Sequence, residues 1–156
     1  MSIVAVTILV LTWLWFMFTG VLLARWDFRE HRLPNRLVFA ALAGGLSGFA
    51  LASLVQRSWI PFSHALLGGA LSGLLFLIIH IIGGMGMGDV KYSLVTGVYL
   101  GWLGWEFLWW GTFASFVLAT CAVVFSVIRR QRMREIPFGP FMTVGVLLTG
   151  AVAASY

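Results

Sequence analysis

The sequence predicts an all-α membrane protein, a bundle of about six transmembrane helices joined by short loops. Of its 156 residues, 61% are hydrophobic and 10% are charged, against about 25% charged in ordinary soluble domains. A soluble domain of this length cannot bury so much apolar surface, because more than half of its accessible area would still face water. Six crossings of about 20 residues each use about 120 residues. We therefore expect one integral-membrane domain, residues 1–156, and we exclude a water-soluble, disordered or nucleic-acid-binding chain.

The apolar runs set the individual spans. The run from Val90 to Ile128 contains one charge, Glu106, and as one helix it would be about 58 Å long, about twice the hydrocarbon thickness of a bilayer. The chain must turn back, and the GWLGWE segment, with two glycines and a charge, is the predicted place. The first run predicts a retained span rather than a signal peptide. The predicted spans are Ser2–Ala24, Leu37–Val55, His64–Gly84, Val90 to near Leu103, Phe107–Ile128 and Phe138–Tyr156.

The basic residues predict how the bundle is oriented. With six spans, the first, third and fifth connections lie on one side, and they hold nine of the ten lysine and arginine residues. The opposite connections hold Arg57. Because cytoplasmic loops are enriched in lysine and arginine, we expect that side to be cytoplasmic and both termini to be non-cytoplasmic. The net charge of +5 then reflects topology and contact with anionic lipid headgroups rather than binding to nucleic acid.

Small residues recur at helical spacing and predict a tightly packed bundle, because such pairs let transmembrane helices approach closely. The single cysteine, Cys121, excludes an internal disulfide and a multi-cysteine metal site, and its apolar surroundings predict a small buried residue. The glycine pairs are Gly44 and Gly48, Gly69 and Gly73, and Gly97 and Gly101.

Two of the five acidic residues differ from the rest in their position. Glu30 and Glu135 lie among arginines and Glu106 lies on the outer turn, where solvated loop charges are expected. Asp27 follows the first span and Asp89 opens the fourth, so both lie at the cytoplasmic boundary, where ionisable groups are costly and indicate function. Two structural explanations stay open: Asp27 pairs with a neighbouring arginine, and Asp89 caps the fourth helix.

Together, Asp27 and Asp89 predict a catalytic pair. Two carboxyl groups close together share a proton, because both cannot ionise cheaply, and aspartic proteases use this arrangement. The ionised partner takes a proton from the attacking water, and the protonated partner hydrogen-bonds the peptide carbonyl. The pair titrates as a unit, so neither aspartate receives a fixed role. Gly86 and Gly88 remove side-chain bulk beside Asp89 and permit backbone conformations closed to other residues.

Three motifs carry a resemblance to a known family. GMGMGDVK, residues 84–91, resembles the GXGD signature of intramembrane-type aspartyl proteases. DFREHRLPN, residues 27–35, is similar to the segment that carries the first catalytic aspartate in type IV prepilin peptidases. IPFGPFMTVG, residues 136–145, resembles the segment that opens their last span. The resemblance covers about residues 25–145, in the right order along the chain.

The resemblance implies a membrane aspartic endopeptidase with Asp27 and Asp89 as catalytic residues and with no metal or cofactor. Such enzymes cut the short basic leader from prepilins and pseudopilins of type IV pili and type II secretion systems. The cut lies at the cytoplasmic face of the bacterial inner membrane. Gly86 and Gly88 match as motif residues, not as acid or base. The other matched positions, taken as structural, are Pro34, Asn35, Gly139 and Pro140.

Two further residues near Asp89 have open roles. Lys91 lies two residues after Asp89, where it favours the ionised carboxylate, binds substrate or extends to the membrane interface. His80 lies near the cytoplasmic end of the third span, and we expect it to be a hydrogen-bonded histidine at a helix contact.

One departure from the family and two alternative functions complete the prediction. Many relatives carry a cytoplasmic insertion with paired CxxC motifs, which methylates the new pilin N-terminus. Here RWDFREH follows the first span at once, so we expect a peptidase-only form without the zinc insertion or methyltransferase activity. The alternatives are a small ion-coupled transporter and an inactive assembly subunit of a secretion system. Transporters usually place carboxylates near the midplane, often between repeated halves, and the sequence indicates neither; the oligomeric state is left open.

Overall fold

A computed structural model of the chain describes residues 2–30, 33–83, 85–129 and 137–155. Within these ranges the chain forms six α-helices and no strand. Among the described residues, four of the helices, α1, α2, α3 and α5, are long and apolar enough to cross a membrane, and α6 is a shorter apolar helix. An all-helical membrane protein is therefore confirmed. The helices are α1 (Ile3–Glu30), α2 (Asn35–Gln56), α3 (Ile60–Gly83), α4 (Met87–Leu103), α5 (Trp105–Ile128) and α6 (Gly139–Ala153).

The long apolar run turns back at Gly104, as the GWLGWE segment predicts. Gly104 has a φ of +131°, a backbone conformation that favours glycine. Its N–H donates to the carbonyl oxygens of Leu100 and Gly101, which closes the last turn of α4. The α4 helix ends at Leu103 and α5 begins at Trp105, so one residue separates the two helices.

Helix α1 continues beyond the predicted end of the first span. The polar stretch that starts at Arg25 predicts a connection, but the helix runs on to Glu30. Phe16, Leu23 and Asp27 are buried on it, at spacings of seven and four residues that place them on one face of a helix. Asp27 therefore lies on the buried face of α1, not in a loop, because the buried stripe extends through the polar segment.

Glycines allow the backbones of α3 and α4 to lie directly against each other. A Cβ at Gly68 would lie 2.6 Å from the Gly97 carbonyl oxygen, and one at Gly101 would lie 2.5 Å from the His64 carbonyl oxygen. Backbone atoms cannot yield at such distances, so these positions require glycine. The prediction of close helix contacts is confirmed. The other predicted glycines also lie at contacts: Gly44 against Trp15, Gly48 against Thr12, Gly69 against Val98 and Gly73 against Leu94.

Helix α4 provides much of the core. It packs against α2, α3, α5 and α6, and Tyr92 and Tyr99 on it are fully buried. The Tyr99 ring centroid lies 4.4 Å from that of Phe16 and 5.1 Å from that of Phe49, and its hydroxyl donates to the Thr12 carbonyl oxygen at 3.2 Å. These aromatic contacts join α4 to α1 and α2.

The prediction that Cys121 is buried was wrong. Ser115 and Ala119 are the buried positions nearby on α5, and Cys121 is exposed. Two residues along a helix rotate a side chain by about 200°, so Cys121 points away from the face that Ala119 buries. The exposed large side chains of α5 are apolar and suit contact with lipid; they include Trp109, Trp110, Phe113, Val117 and Val124.

Candidate active site

The two predicted aspartates line the same cavity, where α1 ends and α4 begins. The cavity has a volume of about 310 Å³. Asp27 reaches it from α1 and is 5% exposed, whereas Asp89 reaches it from the first turn of α4. Six of the nine residues that the sequence proposes for the site lie here. The lining residues are Asp27, Leu33, Asn35, Gly86, Met87, Gly88, Asp89 and Lys91.

Asp89 does not cap α4. Gly86 occupies the N-cap position, with φ −61° and ψ 137°, and the Asp89 N–H donates to the Gly86 carbonyl oxygen at 3.0 Å. Asp89 precedes the apolar part of α4. Two causes raise the pKa of Asp89 from 3.8 to about 7: burial of the carboxyl group, which is the larger, and the nearby charge of Asp27. A carboxyl group with this pKa keeps its proton under mildly acidic conditions, as a shared-proton pair requires.

Asp27 accepts a hydrogen bond from the first residue of α6. The Gly139 N–H donates to Asp27 Oδ2 at 3.0 Å. The first N–H groups of a helix have no partner within that helix, and Pro140 carries none. A Cβ at position 139 would lie 2.9 Å from Asp27 Oδ2, so only glycine lets the carboxylate reach this N–H. The sequence assigned Gly139 a structural role and missed this contact.

The motif glycines keep space around Asp89 and the segment before α2. A Cβ at Gly86 would lie 3.3 Å from Asp89 Oδ2, and one at Gly88 would lie 3.3 Å from the Cβ of Leu33. Leu33 is buried, and Pro34 occupies the N-cap position of α2 in an extended conformation. Side chains at either glycine would therefore press on the carboxylate or on the α1–α2 connection.

Lys91 contacts α2. Its Nζ donates to Asn35 Oδ1 at 3.0 Å, which joins α4 to the first residue of α2 along the cavity wall. Of the two matched residues at the start of α2, Asn35 lines the cavity and Pro34 precedes it. Pro140, in the first turn of α6, is buried and follows the residue that contacts Asp27.

His80 contacts the glycine-rich segment before Asp89. Its Nδ1 donates to the carbonyl oxygen of Met85, and His80 lies in the last turn of α3. A hydrogen-bonded histidine is confirmed, with the segment that leads to Asp89 as its partner. The contact ties the end of α3 to the start of α4.

A pair of buried hydroxyl groups lies close to the cavity and was missed by sequence reasoning. The Tyr92 hydroxyl and Thr143 Oγ1 are 2.8 Å apart, and Thr143 Oγ1 donates to the Gly139 carbonyl oxygen at 3.1 Å. A Cβ at Gly20 would lie 2.6 Å from Thr143 Cγ2, so α1 supplies the space. Tyr92 follows Asp89 by three residues, which places both on one side of α4.

The other acidic residues lie elsewhere or outside the described ranges. Glu30 lines a separate cavity of about 270 Å³ with Arg25, Trp26 and Arg29. Glu106 lines a groove of about 670 Å³ between α5 and α6. Several residues of the predictions lie outside the described part of the chain: Gly84, Glu135, Ile136 and Tyr156.

Comparison with known proteins identifies the family. The sequence matches the type IV leader peptidase family over residues 5–128. The chain belongs to this family. Over 132 residues it is 36% identical to the prepilin leader peptidase/N-methyltransferase of Burkholderia pseudomallei strains 1026b and K96243. It is 28% identical over 140 residues to leader peptidase HopD of Escherichia coli. No solved structure matches.

The leader peptidase match covers different shares of these relatives. The alignment with the Burkholderia proteins includes 76% of this chain and 39% of those proteins, so the chain spans about two fifths of their length. The alignment with HopD includes 84% of this chain and 86% of HopD. The family match contains Asp27 and Asp89 and ends at residue 128, before α6 and its Gly139 contact.

Proposed function

We propose that this chain is a membrane-embedded aspartic endopeptidase that removes the short basic leader from type IV prepilins or pseudopilins, in support of pilus assembly or type II secretion. The observation that carries the proposal is that Asp27 and Asp89 line one cavity in a member of the type IV leader peptidase family. The proposed catalytic residues are these two aspartates, without a metal or cofactor. The proposed site-shaping residues are Pro34, Asn35, Gly86, Gly88, Lys91, Gly139 and Pro140.

In the proposed reaction the aspartates share one proton. The ionised carboxylate takes a proton from water as the water oxygen attacks the scissile carbonyl carbon, and the protonated carboxyl hydrogen-bonds the carbonyl oxygen. The C–N bond of the tetrahedral intermediate then breaks, and the leaving amine receives a proton from the pair. The raised pKa of Asp89 supports this scheme, because it favours one proton on the pair near neutral pH.

We also propose the arrangement of the chain in the membrane. Six spans alternate in direction, both termini are non-cytoplasmic, and the cavity lies at the cytoplasmic face of the bacterial inner membrane. Nine of the ten basic residues lie in or beside the first, third and fifth connections, and this distribution supports the proposed orientation. The described residues that flank these connections include Asp27 and Asp89, and the proposal places them near anionic lipid headgroups.

We further propose a single peptidase domain, residues 1–156, without N-methyltransferase activity. The Burkholderia relatives are named for two activities, and the match covers 39% of them. This chain has one cysteine, so it lacks paired CxxC motifs. Helix α1 also runs without interruption from its apolar part through Asp27, which leaves no space for an insertion between them.

Leader removal from a co-expressed prepilin, followed by gel shift, tests the function. We expect the wild type to cleave and both Asp27→Asn and Asp89→Asn to lose cleavage, because asparagine cannot accept or donate the proton. Glu30→Gln is the matched control, since Glu30 lies on α1 three residues from Asp27 and lines another cavity. Each variant must accumulate in the membrane at the wild-type level.

Two outcomes would contradict the proposal. Full cleavage by either aspartate variant would remove the two-carboxylate mechanism. A wild type that cleaves no pilin-like substrate would favour a transporter or an inactive assembly subunit.

A further inference from the structure

We propose that the first turn of α6 positions Asp27 for catalysis: the Gly139 N–H holds the carboxylate, and the Tyr92–Thr143 hydroxyl pair holds that turn against α4. Gly139, Thr143 and Tyr92 are positioning residues, because they act through Asp27. The inference rests on the proposed peptidase function and adds an element, α6, that lies beyond the family match.

Gly139 contacts Asp27 directly. The N–H to Oδ2 distance of 3.0 Å is that of a good hydrogen bond, and Asp27 is 5% exposed. Charge-assisted hydrogen bonds are about twice as strong as neutral ones, and a helix N-terminus favours negative charge. The contact therefore favours Asp27 as the carboxylate of the pair, the group that takes the proton from water.

Hydrogen bonds also connect the first turn of α6 to α4, the helix that carries Asp89. Thr143 donates its proton to the Gly139 carbonyl oxygen, so the Tyr92 hydroxyl donates to Thr143 Oγ1 at 2.8 Å. Tyr92 lies one helical turn after Asp89. Two hydrogen bonds thus meet at the backbone of Gly139: Thr143 donates to its carbonyl oxygen, and its N–H donates to Asp27. These bonds fix α6, and with it the position of Asp27 relative to Asp89.

Charged side chains surround Asp27 on several elements. Its own helix carries Arg25, Arg29 and Glu30, which line a separate cavity. Helix α4 contributes Asp89 and Lys91, and Lys91 is bonded to Asn35 of α2. Within the described ranges, the first turn of α6 contains no charged side chain, so α6 acts on Asp27 through its N–H. Of the described residues, the other charged side chains at this end are Arg36 on α2 and Arg129 after α5, and the titratable His80 lies on α3.

The test measures kcat, KM and the pH–rate profile of leader cleavage by the purified full chain. Gly139→Ala places a Cβ 2.9 Å from Asp27 Oδ2 and must displace the carboxylate. We expect kcat to fall about tenfold or more, with little change in KM. We also expect the acidic limb of the profile to move to higher pH, because the carboxylate loses its donor. Gly150→Ala is the matched control, since its Cβ would lie 3.0 Å from the Trp13 ring, and we expect wild-type kinetics.

The hydroxyl pair is tested by exchanges that preserve shape. We expect Thr143→Val to lower kcat and move the acidic limb in the same direction, and Thr143→Ser to restore both, because serine keeps the hydroxyl. Tyr92→Phe should behave like Thr143→Val. Its control is Tyr99→Phe, which removes another buried hydroxyl of α4 that donates to Thr12, and we expect its profile to be that of the wild type.

Membrane accumulation and thermal unfolding in detergent are measured for every variant. If Gly139→Ala does not accumulate in the membrane, the comparison of Thr143→Val with Thr143→Ser tests the inference by itself. Wild-type kcat and pH profile in both Gly139→Ala and Thr143→Val would overturn the inference, as would a Thr143→Val defect that serine does not rescue. Activity of Asp27→Asn or Asp89→Asn would instead overturn the proposed function, so the two failures are distinguishable.

Discussion

The two ends of α4 pack in different ways. At the Gly104 end, the contacts are glycine against backbone and ring against ring: Gly101 lies against His64, and Phe49 stacks on Trp102 with centroids 4.4 Å apart. At the Asp89 end, the contacts include hydrogen bonds that join different helices or join a helix to the segment before α4. Those contacts are Lys91 to Asn35, Tyr92 to Thr143, Gly139 to Asp27 and His80 to Met85.

The comparison suggests that the packing contacts at the Gly104 end hold the helices together, whereas the hydrogen bonds at the Asp89 end position the groups of the proposed reaction. Buried polar groups cost free energy unless they are hydrogen-bonded, so a small membrane protein gains stability from apolar packing and close glycine contacts. The hydrogen bonds that surround the two aspartates lie at one end, where α1 ends and α4 and α6 begin. We therefore expect changes at the Gly104 end to affect stability and changes at the Asp89 end to affect activity.

The largest effect on stability is expected from Gly101→Ala. The added Cβ would lie 2.5 Å from the His64 carbonyl oxygen and 3.1 Å from the Gly68 Cα, and these backbone atoms cannot move without separating α3 from α4. Overpacking of this kind costs about 3 kcal/mol, measured as the loss of thermal stability in detergent and of membrane accumulation. The control is Gly83→Ala, whose Cβ would meet nothing within 4 Å, and we expect it to keep wild-type stability. Equal losses in both variants would contradict the packing account.

Much of the difference between the two ends of α4 can be predicted from the sequence, because the patterns that indicate helices, turns and boundary acids are local. Apolar runs locate the helices, two glycines and a charge locate the turn at Gly104, and the scarcity of acids singles out Asp27 and Asp89. The contacts between helices are not local. Gly139 and Asp27 are 112 residues apart, and Tyr92 and Thr143 are 51 apart, so they depend on which helix faces pack together.

The same distinction explains the wrong predictions. The polar residues after Ala24 predict the end of α1, but the buried stripe that includes Leu23 and Asp27 continues the helix to Glu30. Cys121 lies in an apolar run, and apolar character alone does not distinguish a core face from a lipid-facing one. In a membrane protein both faces are apolar, so the helix face that a residue occupies must come from the structure.

The next largest effect is the pH dependence of the cleavage rate, which depends on the Asp89 end alone. The pKa of Asp89 is raised to about 7, so the carboxyl is protonated below that pH and ionised above it. The proposed reaction needs one proton on the pair, and we expect the cleavage rate to fall as the pH rises above about 7. The pH–rate profile of leader cleavage by the wild type checks this, with the Glu30→Gln profile as control. A rate that keeps rising well above pH 7 would contradict the shared proton.

The smallest effect is expected at the Lys91–Asn35 hydrogen bond, which joins α4 to α2 at the polar end. A hydrogen bond of this kind contributes about 0.5–1.5 kcal/mol, and Lys91→Met removes the ammonium group while keeping an extended side chain. We expect Lys91→Met and Asn35→Ala each to lower thermal stability slightly and the double variant to lose less than the sum, because residues in contact are coupled. The causes of the raised Asp89 pKa are burial and Asp27, so Lys91→Met should leave the pH–rate profile in place. Additive stability losses would show that the two side chains act independently, and a shifted profile would show that Lys91 acts on Asp89 rather than on the packing of α2.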